Sequence, residues 1–116
     1  MIPRYRAWDK ETKSMNGMAE IYRNRNQKIE LHPRDENIIL MQSTGLRDKN
    51  GKEIFEGDVL ETKDGLLDGV VEYRTDLGMW TNSLFRYNNF ERLCNVADST
   101  YIIGNIYENP ELLEAN

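Results

Sequence analysis

The sequence predicts an all-β fold, a small barrel or strongly bent sheet with an N-terminal hairpin extension and one or two short helices. Two observations carry this. Apolar and polar residues alternate over short runs such as Tyr5-Arg6-Ala7-Trp8 and Val70-Val71-Glu72-Tyr73-Arg74, the period of a half-buried strand. Between the runs stand repeated turn-forming residues, Asn16-Gly17, Asn50-Gly51, Gly57, Gly65 and Gly78.

Taken in order, Tyr5 to Trp8 is a strand with Tyr5 and Ala7 on one face. Asp9 to Lys13 is a polar turn, and Ser14-Met15 returns as a short second strand. Asn16-Gly17 breaks the chain. Ala19–Arg23 and Lys28–His32 flank Asn24 to Gln27 as a hairpin, with Ile29 and Leu31 to one side and Lys28, Glu30 and His32 to the other. Pro33 ends it, because proline has no ladder donor and restrains the residue before it. Asn37 to Gln42 is a continuous apolar run, read as a strand covered on both sides.

From Leu40 to Leu60 the chain is most densely specified. Asn and Gly both accept the positive φ that tight turns demand, so Asn50-Gly51 marks a reverse turn, with Gly51 expected at positive φ. Ile54-Phe55 follows, Gly57-Asp58 redirects the chain, and Val59 to Thr62 begins a new strand. Lys63 to Gly65 turns again. Val70 to Arg74 is a strand with Val71 and Tyr73 inward, Thr75 to Gly78 its turn, and Met79 to Thr81 the antiparallel return. Phe90, Leu93, Cys94 and Ala97 fall at i, i+3, i+4 and i+7, one face of a short helix with Asn89 as its N-cap. A hairpin turning at Asn88-Asn89 competes with that reading. Tyr101 to Ile103 is a closing strand. Asn109-Pro110-Glu111 starts a last helical turn, with a cap, a preset φ and a carboxylate near the positive end of the dipole.

The run TGLRDKNGKEIFEGDVL, with YRAWD near the start and IIGNIYENPELLE near the end, resembles the YopX family of phage and prophage proteins. The three blocks stand in the family's order and together cover about a third of the chain. The resemblance implies an SH3-like β-barrel core, a single YopX-like domain over 1–116 and a phage or prophage setting. It implies a fold and a genomic origin rather than an activity.

Composition narrows the function classes. At 116 residues the chain is long enough to bury its own core. One cysteine, Cys94, excludes an intramolecular disulfide and suits a reducing host cytosol, so a cytoplasmic location is expected. No secretory or membrane-spanning run is present, and no membrane contact is expected. Residues 1–34 carry eight Lys and Arg against four Asp and Glu, a net +4, whereas 35–116 carry seven against sixteen, a net −9. An acidic body disfavours broad contact with phosphates and suits a basic partner or a neighbouring copy.

Several constellations invite chemistry and fall short of it. Asp48 to Glu53 has the look of a calcium loop, but the EF-hand pattern wants its glycine two residues later and a Glu where Val59 stands. Gly45 to Lys52 is one residue too long for a phosphate loop, with Glu53 in place of Ser or Thr. His32 and Cys94 are too few for zinc. They form a nucleophilic pair only if the fold joins them; otherwise Cys94 is a small buried apolar residue and His32 a solvent-facing one. Glu53, Glu56 and Asp58 form a carboxylate cluster that reads as a solvated face. Trp8, Tyr22, Trp80, Phe85 and Tyr87 alternate with Arg4, Arg6, Arg23, Arg25 and Arg86. That mixture can stack single-stranded bases, or it can be core aromatics rimmed by cations.

The expectation is therefore a non-enzymatic binding or assembly module, with no catalytic, metal or cofactor residues assigned. Its partners are a second copy of itself, joined as a dimer through the acidic tail and Leu112-Leu113, and a phage or host protein. The alternative is a single-stranded nucleic-acid binder using the basic, aromatic-containing N-terminal third.

Overall fold

Short alternating runs separated by glycine turns cannot build long helices, and a computed structural model of the chain is mainly β. It describes residues 4–15, 19–23, 29–33 and 37–114, the second and third of these as backbone. Two compact units divide at β4, Met1–Gln42 and Ser43–Asn116.

In the first unit, β1 (Tyr5–Asp9) runs antiparallel to the first half of β4 (Ile38–Arg47), in register from Tyr5 opposite Gln42 to Asp9 opposite Ile38. Ala7, Trp8 and Met41 are buried, whereas Tyr5 is 37% exposed. Tyr5 and Ala7 share a face of this regular strand as expected, but only Ala7 of the two is buried, along with its neighbour Trp8 from the other face. Ile38 to Leu40 are only half-buried, so the apolar run is not covered on both sides. The polar turn is held by Asp9 Oδ1, which accepts the amides of Glu11 and Thr12. Ser14 returns as a single bridge to Asp9 rather than as a strand. β2 (Ala19–Arg23) and β3 (Ile29–Pro33) form the expected antiparallel pair, with Ile21 opposite Leu31. The turns at Asn16-Gly17 and Asn24 to Gln27, and the side chains of Tyr22, Arg23, Ile29, Leu31 and His32, lie outside the described residues.

In the second unit, the later half of β4 pairs with β5 (Glu53–Phe55). Five further strands follow: β6 (Asp58–Glu61), β7 (Gly69–Arg74), β8 (Met79–Leu84), β9 (Phe90–Arg92) and β10 (Tyr101–Asn105). They make one antiparallel sheet in the order β10-β6-β7-β8-β9. The first four are a meander, and the last strand returns to pair with the first. Gly51, Gly57, Gly65 and Gly78 all hold positive φ at the turns where a tight reversal was expected. No closed barrel forms among the described residues, because β9 and β10 end the sheet.

The core of this unit is Ile54, Leu60, Val71, Leu93 and Ala97, with Leu46, Trp80 and Ile102 packed against it. Val71 is buried as expected, but Tyr73 is 44% exposed. Its ring stands edge-on to Trp80 at 5.1 Å between centroids instead of entering the core.

Residues 89–97 combine both competing readings. Phe90 to Arg92 complete a hairpin with β8, and α1 (Leu93–Val96) starts only at Leu93, followed by a 3-10 turn at Ala97–Ser99. Asn89 is not the cap. Arg92 takes that position without a side-chain bond, and the Asn89 carbonyl accepts the Leu84 amide. Only Leu93 and Ala97 of the proposed stripe are buried, and Cys94 faces solvent. Helix α2 (Glu111–Glu114) follows Pro110 as expected. The Asn109 side chain, however, accepts the Asn105 amide at 3.2 Å. A Cβ on Gly104 would overlap Asn109 and touch Leu112, so α2 lies close against β10.

Candidate functional site

The carboxylates read as a solvated face are not one: Glu53 and Glu56 are half-buried and Asp58 is buried. Glu53 accepts the Ser43 hydroxyl. Asp58 is 1% exposed and turns back to accept the Phe55 amide at 2.8 Å, closing the reversal at Gly57. Asp48, the first residue of the failed calcium pattern, is also buried, and its work is structural. Oδ1 accepts the amides of Asn50 and Lys52, each at 2.9 Å, and Oδ2 accepts the amide of Ile102 at 3.0 Å. Among the described residues no three His, Cys, Asp or Glu side chains are grouped to hold a metal ion.

The aromatic and basic residues also separate. Trp8 is buried, Trp80 and Phe85 are half-buried, and Tyr87 is 50% exposed in the β8–β9 loop beside exposed Arg86. Arg6 donates to Met41 Sδ at 3.6 Å. Sequence reasoning passed over Arg74, whose guanidinium lies 4.9 Å from the Phe90 ring centre and is paired with Asp76 at 2.9 Å. That bond and the facing charge raise the Arg74 pKa and lower that of Asp76.

An open hollow of about 550 Å³ is lined by Thr62, Lys63, Asp64, Leu67 and Ser99. One wall is the β6–β7 loop and the other is the 3-10 turn that precedes β10. Thr62 organises the loop. Its amide donates to Asp68 Oδ1 at 2.8 Å, and its hydroxyl bonds Asp64 at 3.1 Å while accepting the Leu67 amide at 3.1 Å. The loop is tied to the sheet from outside as well. The buried Asn82 amide donates to the Leu67 carbonyl at 2.9 Å, and the Phe85 amide donates to that of Asp68 at 3.0 Å. Across the hollow, Ser99 donates to the Val96 carbonyl at 2.9 Å and the buried Thr100 to that of Ala97 at 2.8 Å. Both walls are thereby fixed before any ligand arrives.

The lining offers one cation, one anion, two hydroxyls and one apolar side chain. The Leu66 amide and the Thr62 hydroxyl lower the Asp64 pKa, so its carboxylate stays ionised at neutral pH. Both hydroxyls are donating to neighbours of their own, which suits the surface to contact more than to nucleophilic attack. The sequence reading saw only a turn at Lys63 to Gly65. The missed signal was Thr62 followed by Asp64 and Asp68, residues whose side chains bond nearby backbone amides in loops.

Comparison with known proteins places this geometry. The family model described as YopX protein matches residues 4–114, through both units. The chain belongs to the YopX family. Protein EF1440 from Enterococcus faecalis is similar in structure, with a TM-score of 0.56 and 27% identity, over 97% of this chain and 99% of that one. Protein yopX from Bacillus subtilis is similar in fold, with a TM-score of 0.57 and 24% identity, over 97% and 96%. No curated protein matches the chain. Among the described residues of this YopX-family chain, no helix is long and apolar enough to cross a membrane.

Proposed function

We propose that this YopX-family chain is a non-enzymatic binding or assembly module of phage or prophage origin, acting in the host cytosol, and that the hollow beside Thr62 receives a segment of its partner. The observation that carries this reading is a lined surface recess with one wall held to the sheet by the Asn82–Leu67 bond and the other closed by hydrogen bonds within its own 3-10 turn. Strand order supports the SH3-like reading of the core. Four strands in a meander, a 3-10 turn, and a fifth strand beside the first form the connectivity of such a barrel. Affinity capture from induced host lysate tests the function. A protein partner retained after nuclease treatment, and lost when Leu67→Glu puts a charge in the hollow, is the expected result. Retention that disappears with nuclease would move the reading to nucleic acid.

A second copy is the other partner we propose. The support is Leu113, 45% exposed on α2, and Ile103, 41% exposed on β10, in an acidic chain with a basic N-terminal third. Leu112 is half-buried against β10 and belongs to the chain's own packing. Leu113→Lys is therefore a cleaner test than removing the tail. Sedimentation at tens of micromolar is expected to give a dimer for the wild type and a folded monomer for the variant. A wild-type monomer in low salt would end the idea.

A further inference from the structure

Asn50 and Gly51 form the exposed tip of the turn that Asp48 closes. In an Asn-Gly pair the glycine nitrogen can attack the asparagine side-chain amide carbon, and the glycine's missing side chain leaves the approach unhindered. A bond forms between Gly51 N and Asn50 Cγ. The side-chain nitrogen leaves as ammonia, carrying the proton that Gly51 gives up. The resulting five-membered imide takes up one water and opens at either carbonyl, to aspartate or to isoaspartate. The overall change is hydrolytic and involves no oxidant or reductant.

We propose that Asn50 is a site of spontaneous deamidation, that opening of the Asp48 turn sets its rate, and that conversion loosens the fastening of β10. The attacking nitrogen is restrained in the folded turn. Gly51 N–H donates to the Asp48 carbonyl at 2.9 Å, and the nitrogen must release that proton before it can attack. The residue under attack is held too, because the Asn50 amide bonds Asp48 Oδ1 at 2.9 Å. Ring closure requires Asn50 to rotate about its Cα–C bond, which breaks this arrangement. Both restraints come from Asp48, so one local opening releases them together.

The consequence follows from what else the turn carries. Asp48 N–H bonds the Lys52 carbonyl and Lys49 N–H the Thr100 carbonyl, both at 2.9 Å, while Asp48 Oδ2 holds the Ile102 amide at 3.0 Å. The isoaspartate product inserts the side-chain methylene into the main chain between residues 50 and 51. Either product adds a negative charge two residues from Asp48. The turn then no longer matches the spacing that ties it to the start of β10.

The test incubates the full chain and a synthetic peptide of residues 44–56 in the same warm, mildly alkaline buffer. Peptide mapping by mass spectrometry follows residue 50 in both, and hydrogen exchange of the Gly51 amide in the full chain measures the opening. Conversion is expected in both, slower in the chain by at least about tenfold, with the slowing equal to the Gly51 protection factor. In the converted chain the Lys49 and Ile102 amides should exchange faster than before. Equal rates in chain and peptide would overturn the proposal. So would an intact Asn50 once the elapsed time exceeds the peptide half-life multiplied by that protection factor.

Discussion

Gly69→Ala is expected to destabilise the second unit by about 3 kcal/mol, the upper end for forcing extra volume into a packed site. Gly69 sits at the start of β7, opposite Leu84 on β8 and Leu60 on β6. A Cβ there would overlap the backbone carbonyl of Ser83 and the side-chain oxygen of Asn82. The carbonyl cannot swing aside, because Ser83 is paired in the ladder with both Val70 and Phe90. Asn82 is fully buried, and its Nδ2 is committed to the Leu67 carbonyl that positions the hollow. Relief must therefore come from pushing β8 away from β7, which strains three strands and the loop together. Urea unfolding of the variant should show a lower midpoint at unchanged slope. Thr75→Ala, at an exposed turn position, should stay within about 0.5 kcal/mol of wild type. An unchanged midpoint for Gly69→Ala would show that the β7–β8 approach is looser than described.

Features decided by a few consecutive residues were legible beforehand. The reversals at Gly51, Gly57 and Gly78 depend on local φ, and a glycine between apolar runs announces them. The start of α2 was readable for the same reason, since Pro110 presets its own φ. What depended on distant partners was not readable. Nothing near Leu67 or Gly69 says that Asn82 will reach the first and press on the second. The spacing of Phe90, Leu93, Cys94 and Ala97 is compatible with strand or helix, and ladder pairing with β8 claimed Phe90 before the helix began. Cys94 then fell on the outer side of a helix only one turn long. Tyr73 shows the limit of alternation, which names a face but not how far the core extends beneath it.

The Asn50-Gly51 turn stands where expected, with Gly51 at positive φ, and its partners define its type. Gly51 has φ +80°, but Asn50 is not among the positive-φ residues, so the two do not form a mirror-image two-residue turn. The pattern is that of a type I turn over 48–51 closed by a left-handed glycine, which favours Asp at its first position. The sequence reading weighed Asp48 as a metal ligand, and a carboxylate that accepts backbone amides leaves the same trace in a sequence.

That role makes Asp48→Ala the second large effect expected. The substitution removes the acceptor of three backbone amides, those of Asn50, Lys52 and Ile102. The first two can turn to water at an exposed turn. The Ile102 amide cannot do so as easily, because Ile102 is packed against the core. One orphaned amide and the lost charge-assisted bonds together should amount to about 3 kcal/mol. Asp48→Asn is not a conservative rescue. Its amide has one acceptor oxygen, and if that serves the turn, the NH₂ faces the Ile102 N–H donor to donor, so about 2 kcal/mol of destabilisation is expected. Hydrogen exchange separates this account from a general loss of stability. In Asp48→Asn the Ile102 and Lys49 amides should lose protection first, while the amides that join β7 to β8 keep theirs until global unfolding. Uniform loss across the sheet would mean that Asp48 supports the whole unit rather than the junction of its turn with β10.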